Sequence, residues 1–374
     1  MNLPIATRYA LRSLMRHKRR TFLSILGIGV GCGISLFMIS FVRGEGDMMM
    51  RAAAESGNGH LRIAPSEWMR TRDRDLRLHN WKGLLKTVRQ LDPVSVAAPH
   101  ARTDALLGMG TRTAGVIMTG VDPSAETGIN RLVRTVISGS YLEPRSRGVV
   151  VIGKGVADRL DVELDDALMV TASGKDGDMH SAMLTVAGIV ASGSRELDSS
   201  LCHVALADLE DITGFTGAAE ISVLLKDHEA MAAVRAGIEP HLSEGQTVVA
   251  WEQIVPELAS GVEVDETWTN LMVGVIILVV FLGIASAQLA AALERRKEFA
   301  VLSALGMQRH RMVRVMIAEG LLLGGSGAFM ALLLATPFVY GIARFGIDFS
   351  GMYGDADMAV SNVLLDPVIF GDFG

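Results

Sequence analysis

Three apolar blocks, each long enough as helix to cross a bilayer, constrain this chain more than any other feature. Thr21 to Val42 is 22 residues without a charge, or ~33 Å of helix at ~1.5 Å per residue against a hydrocarbon core of ~30 Å. A second charge-free block runs from Leu271 to Leu293, and a third from Val315 to Gly341, interrupted by Glu319 near its start and Pro337 near its end. A cleavable signal peptide has an apolar core of only ~7 to 15 residues and a small-x-small cleavage site. Here Arg43, Glu45 and Asp47 follow the first block, so it reads as an uncleaved anchor. With 49% hydrophobic and 20% charged residues, disordered and fibrous classes are excluded.

Charge assigns the sides. Arg8, Arg12, Arg16, Lys18, Arg19 and Arg20 precede the first block without an acid, and Arg295, Arg296, Lys297, Arg309, Arg311 and Arg314 outnumber the acids between the second and third. Both segments are cytoplasmic by the positive-inside rule. Asp47 to Trp268 holds 21 lysines and arginines against 32 acids, which places a large acidic domain on the opposite side. Beyond Arg344 there are acids and no base, which suits the outer side after three crossings. A net charge of −6 argues against a nucleic-acid binder steered by overall basic charge.

The external region reads as an α+β domain. The helical pattern continues past the first crossing through Met48–Ala54 and breaks at Gly57-Asn58-Gly59 before a strand at 60–63. Further strands are expected at 115–119, 148–152, 167–171, 183–190, 202–206 and 220–225, with a hairpin turn at Gly174–Asp178. Helices are expected at 82–90, 156–160, 206–212 and 229–241, and Trp251 to Glu266 as a helix leading into the second crossing. Two helical stalks then join domain and membrane.

Catalytic and metal motifs are weak. Gly148-Val-Val-Val-Ile-Gly153-Lys154-Gly155 nearly spells a phosphate-binding loop, but Gly155 stands where the magnesium-holding hydroxyl is needed; a strand-to-helix turn is the simpler reading. Nine histidines show no HxxxH spacing, and Cys32 and Cys202 form no CxxC pair. In a strand, Cys202 and His203 point to opposite faces. Gly324-Gly-Ser326-Gly-Ala328 departs from a hydrolase elbow at its last position and lies inside the third block. No catalytic residue and no metal site are expected.

Small residues at Ser24, Gly27, Gly31 and Ser35 form a stripe on the first crossing, Gly29 and Gly33 a second, and Gly320 and Gly324 repeat the device in the third. Such stripes serve ordinary helix packing and dimer seams alike. Glu319, one turn inside the third block, needs a partner, for which Arg311 and Arg314 are at hand, or must snorkel to the interface. The loop from Glu294 to Met307 interleaves Glu294, Arg295, Arg296 and Glu298 with Phe299, Val301, Leu302 and Leu305 and ends its pattern at Gly306. A short amphipathic helix on the membrane face is expected. Membrane anchoring alone would make poor use of the carboxylates, and a protein partner fits better.

Ala10–Ile28 and Glu294–Gly306, followed by Glu319-Gly320, resemble the opening and the coupling loop of FtsX/MacB-type ABC permeases, most nearly the lipoprotein-releasing LolC/LolE group. Thr119-Gly-Val-Asp-Pro123, Ser138–Leu142, Val150–Ala157 and Glu196-Leu-Asp198 resemble that family's periplasmic core domain, so the likeness covers nearly the whole chain. It implies an α-helical membrane protein with a large α+β periplasmic domain inserted between the first and second helices. The division is a cytoplasmic segment 1–20, helices at 21–42, 271–293 and 315–341, a periplasmic domain with stalks at 43–268, a coupling loop at 294–314 and a periplasmic segment at 342–374. The resemblance further implies a second permease copy, identical or different, and an ABC ATPase docked on Glu294, Arg295, Glu298, Phe299, Leu302 and Leu305, with ATP and magnesium on that partner and no cofactor here. Lipoprotein release towards a periplasmic carrier is the expected activity; MacB-like export of peptides or drugs and FtsX-like control of cell-wall hydrolases are the alternatives. The family has a fourth crossing. Val363–Phe370 is too short for it and holds Asp366 and Pro367, so truncation or an incomplete fragment is expected.

Overall fold

A computed structural model of the chain describes residues 15, 18–71, 73, 75–304, 308–349, 359–360, 363–366 and 368–372. They fall into two compact units. The first takes in the described residues of Met1–Gly46, Val262–Asp348 and Val368–Gly374, the second those of Asp47–Gly261 and Phe349–Pro367.

Three helices carry the apolar blocks: α1 (Lys18–Glu55), α7 (Pro256–Glu294) and α9 (Arg309–Phe345), each with a window long and apolar enough to span a membrane. At 38, 39 and 37 residues all three outrun a ~30 Å hydrocarbon core. The helix therefore does continue past the first crossing, to Glu55. The helix expected from Trp251 is interrupted: Trp251–Ile254 forms one turn, Val255 leaves helical geometry, and α7 begins at Pro256. Proline disfavours helix in the residue before it and suits the first helical position, so the break is local chemistry.

Within the first unit, glycine sets how closely helices approach. A Cβ at Gly29 would lie 2.6 Å from Met330 Cγ of α9, and one at Gly33 3.6 Å from the Ala331 carbonyl oxygen, while Gly327 of α9 receives Ile28. Gly31 faces α7 instead, 3.2 Å from Val280. The two small-residue stripes of α1 thus address different neighbours. Pro337 sits inside α9 without ending it, as membrane helices permit.

The second unit is built on a ten-stranded mixed sheet. Its strands are β1 (Leu61–Pro65), β2 (Val94–Met109), β3 (Arg112–Val121), β4 (Val136–Gly139), β5 (Val149–Gly153), β6 (Ala167–Ser173), β7 (Met179–Val190), β8 (Leu201–Ala205), β9 (Glu220–Leu225) and β10 (Gln246–Ala250). Pairings β2–β3, β3–β8, β8–β5, β5–β7, β7–β6 and β6–β2 close a six-stranded barrel. The first half of β2 leaves the barrel and pairs with β9, which continues through β1 to β10.

Alternation divides the residues. Leu107, Val116, Met118, Val150, Ile152, Leu168, Val170, Val186, Cys202 and Val204 fill the barrel with helices α4 (Lys154–Leu160) and α5 (Leu206–Thr213) packed against them. A second core under β1, β9 and β2 is closed by α2 (Trp81–Arg89) and α6 (Met231–Ile238). The helix expected over 229–241 is in three pieces, two of them 3-10 turns, the last containing Pro240. Three strands of this sheet were absent from the expectations: the 16-residue β2, the short β4 and β10. The near phosphate loop is a strand-to-helix turn from β5 into α4, where Gly153 lies against the backbone carbonyl of Asp198.

Candidate functional site

Two places hold chemistry. The first is helix α8 (Arg296–Ala304), which lies between α7 and α9 where an amphipathic helix was expected. Its charged residues do two different jobs. Arg295, at the junction, is held by Glu298 at 3.2 Å and by Glu319 at 3.4 Å, and its side chain is 12% exposed. Glu319 thus has a partner that was not expected, Arg295, and with its side chain 5% exposed it is paired rather than snorkelling; the side chain of Arg311, one of the two partners expected, lies outside the described residues. A carboxylate this enclosed needs an opposite charge close by. Glu294 pairs with Arg20 of α1 at 2.8 Å. Arg296, Lys297 and Glu298 are exposed. Phe299 and Leu302 lie in α8, and Leu305 and Gly306 fall outside the described residues. Of the small residues, Ser24 is half-buried, a Cβ at Gly27 or Gly324 would meet open space, Gly320 faces Gln288 of α7, and Ser35 donates to the Gly31 carbonyl oxygen at 3.1 Å.

The second place was missed by sequence reasoning. On β1, β2, β3, β8 and β9 the residues facing away from the apolar cores are Arg62, His100, Arg102, Thr119, His203, Glu220 and Ser222, all but Arg102 buried. Short helix α3 (Pro123–Ile129), capped by Asp122, lies over them and brings in Glu126 and Asn130. The end of α1 reaches the same place, where Ser56 bridges to Asn130 and the Gly57 N–H donates to the Ile129 carbonyl oxygen at 3.2 Å.

These groups satisfy one another. Glu220 accepts from Arg102 at 2.5 Å and pairs with Arg62 at 3.1 Å, while Arg62 also donates to Asn58 at 2.5 Å. Glu126 accepts from His100 Nε2 at 2.7 Å and from Asn130 Nδ2 at 2.7 Å. Burial pushes the Glu126 carboxyl up, but the imidazole of His100 and the Asn130 amide outweigh it and bring it down to about 2. Glu220 is likewise pushed up by burial and pulled below the usual carboxylate range by Arg102 and Arg62. Burial holds His203 at about 4, hence neutral, and Tyr141 well above a phenol's ordinary value. The Tyr141 hydroxyl is hydrogen-bonded to His203 Nδ1 at 2.7 Å, with the donor set by the imidazole tautomer.

Arg62, His100, Arg102, Thr119, Glu126, Asn130 and His203 wall a cavity of about 550 Å³, together with Ser56–Asn58 at the end of α1 and Ile254, Val255 and Glu257 around the start of α7. The segments leading into two membrane helices thus meet one buried polar cluster. The signal was present as period-two polarity in His100/Arg102 and Glu220/Ser222. Such alternation ordinarily marks a solvent-facing edge, and only α3 and the α1 end reveal that it is covered.

Comparison with known proteins agrees with this division. The MacB-like periplasmic core domain matches residues 21–241, more than half of the chain, and the FtsX-like permease C-terminal region matches 270–365. Lipoprotein-releasing system transmembrane protein LolC of Xylella fastidiosa (strain Temecula1) is 23% identical over 354 residues, 91% of this chain and 83% of that protein. LolE of Haemophilus influenzae is 22% identical over 333 residues, covering 85% and 79%. Macrolide export ATP-binding/permease protein MacB of Hyphomonas neptunium is 24% identical over 384 residues, covering 98% of this chain and 58% of that protein. Among solved structures, the periplasmic region of MacB from Actinobacillus actinomycetemcomitans aligns with a TM-score of 0.39 at 12% identity, over 53% of this chain and 92% of that one. With a MacB-like periplasmic core domain set between the first two of three long apolar helices and an FtsX-like region after it, this chain belongs to the FtsX/MacB family of ABC permeases.

Proposed function

We propose that this chain is the membrane subunit through which a separate ATPase drives release of lipoproteins from a bacterial inner membrane. The observation that carries the reading is α8. It is a short helix with Arg296, Lys297 and Glu298 exposed, while Arg295 is braced on Glu319 of α9 and Glu294 on Arg20 of α1. A body docking on the exposed charges would move a helix already tied to α1 and α9, and α1 and α7 run on into the walls of the polar cavity. ATP and magnesium belong to the docked partner; this chain supplies no step of hydrolysis. The basic segments put α8 on the cytoplasmic side, and a second copy, identical or different, completes the permease. The substrate class follows the LolC and LolE relatives, matched over about four-fifths of their length.

The test is reconstitution with the partner ATPase. Glu298→Lys is expected to abolish stimulation of ATP hydrolysis by the permease while membrane insertion stays intact, and unchanged stimulation counts against docking at α8. Crosslinking of the external domain to triacylated lipoproteins in ATP-depleted membranes supports the substrate. A second reading, export of small molecules, is favoured by the MacB relative that spans 98% of this chain; capture of a soluble export substrate in place of lipoprotein would select it.

A further inference from the structure

We infer that the polar cavity of the periplasmic domain binds a small oxyanion carried on an apolar stem. Arg102 of β2, Thr119 of β3 and His203 of β8 stand in one cross-strand row, Arg102 opposite Thr119 and Thr119 opposite His203. Directly paired strand residues hold their Cβ atoms ~5 Å apart, so three different donors share one stretch of cavity wall. The donors are turned to the cavity rather than used up. Among the described residues Thr119 Oγ1 makes no hydrogen bond, and His203 bonds only through Nδ1 to Tyr141. In the tautomer in which Nδ1 accepts from the phenol, the neutral ring carries its proton on Nε2, an N–H left to give. Arg102 is partly exposed, its side chain 28% accessible, and spends one nitrogen on Glu220.

The acids in the wall are turned the other way. Of the two acids that line the cavity, both oxygens of buried Glu126 accept from protein donors, one from His100 and one from Asn130, and Glu257 at the start of α7 is exposed; Glu220, outside the lining, lies between Arg62 and Arg102. The unspent groups that the strands present to the cavity are therefore donors, which select an acceptor-rich, negatively charged head. The cavity is also lined by Leu132, Leu197, Leu201 and Ile254, which suit a hydrocarbon stem. At about 550 Å³ the space falls in the ordinary range for a small-molecule site and takes a head group with a few carbons. Occupancy bears on Ser56–Asn58 and Ile254–Glu257, the segments that continue into α1 and α7, so the ligand would report on stalk geometry. The site stands apart from the substrate proposed above and from the ATPase.

The test uses the full chain in phosphatidylcholine nanodiscs, titrated calorimetrically with hexyl phosphate and, separately, with hexanol and with inorganic phosphate. The expected result is saturable binding of hexyl phosphate, stronger than either half-ligand, and weakened about tenfold or more in Thr119→Val and in Arg102→Gln. Thr119→Val is nearly isosteric, and an unchanged melting midpoint shows that it is folded. Absence of saturable binding to the wild type, or equal affinity in a folded Thr119→Val, overturns the inference. Repeating the titration with phosphatidylglycerol in the nanodisc separates the sources. Competition by that lipid identifies a head group as occupant, and undiminished affinity identifies a soluble amphiphile; both support the site.

Discussion

Glu220→Gln removes one negative charge from between two arginines while keeping the shape of the side chain. Arg62 is the residue that suffers. Its side chain is 3% exposed, it pairs with Glu220 at 3.1 Å, and its guanidinium lies 5.3 Å from the ring of Trp68, so it has little water to turn to. Removing one partner of a buried pair costs about 3 to 5 kcal/mol, because the remaining charge stays desolvated. For a domain of this size each kcal/mol moves the midpoint by about 2 to 4 °C, so a fall of roughly 6 to 20 °C is expected. Arg102→Gln should cost less, about 1 kcal/mol, because its side chain is 28% exposed and Arg62 still balances Glu220. Thermal unfolding of the full chain in detergent, followed by tryptophan fluorescence, reads both. A Glu220→Gln shift below about 2 °C would refute the claim that the cluster is electrostatically closed. Arg62→Met in the Glu220→Gln background should recover part of the loss, since it removes the stranded charge.

Three further outcomes are expected. His60 and His203 are both held near pH 4 in the fold, mainly by burial, against about 6.5 when unfolded. Between those values only the unfolded chain takes up the protons, so stability should fall from about pH 6.5 down to about 4, by roughly 3 kcal/mol per histidine, and level off below. Glu126, held down at about 2, adds a further loss only under its unfolded value near pH 4.5; unfolding midpoints from pH 7.5 to 4 check the order, and a flat profile over that range contradicts it. Gly153→Ala should destabilise by about 1 to 3 kcal/mol, since the added Cβ meets the backbone carbonyl of Asp198, which has no rotamer to yield; an unchanged denaturation midpoint counts against that packing. Asp178→Cys, in the exposed turn between β6 and β7, should react with an impermeant maleimide from the periplasmic side, because Cys202 is fully buried with its thiol pushed up to about 12; labelling only from the cytoplasmic side reverses the orientation.

What could be read from residues alone was whatever depends on a local pattern. The three membrane helices follow from charge-free length, and β9 and β7 from short apolar runs bounded by glycine or charge. β2 was hidden because Pro99, His100, Arg102 and Asp104 make it look like a loop. Those residues are tolerated because one face of the strand looks into the polar cluster, an environment assembled from β9, α3 and the α1 end, which are separate stretches of the chain. The Arg295–Glu319 pair was invisible for a related reason. Arg295 is 24 residues from Glu319, and it is the fold of their own unit, with α7 and α9 neighbouring there, that brings the carboxylate to the residue that closes the turn. Conversely, Cys202 and His203 illustrate a local rule that held: β8 sends the thiol into the barrel core and the imidazole to the cavity.

The account turns on movement passing from α8 to the periplasmic domain. Double electron–electron resonance between nitroxides on Asp178→Cys of two copies, in a Cys32→Ser background, measures this directly when the partner ATPase is trapped with nucleotide. The account predicts a shifted distance distribution on trapping, and loss of that shift in Glu298→Lys. A distribution unchanged while the bound ATPase turns over would contradict it.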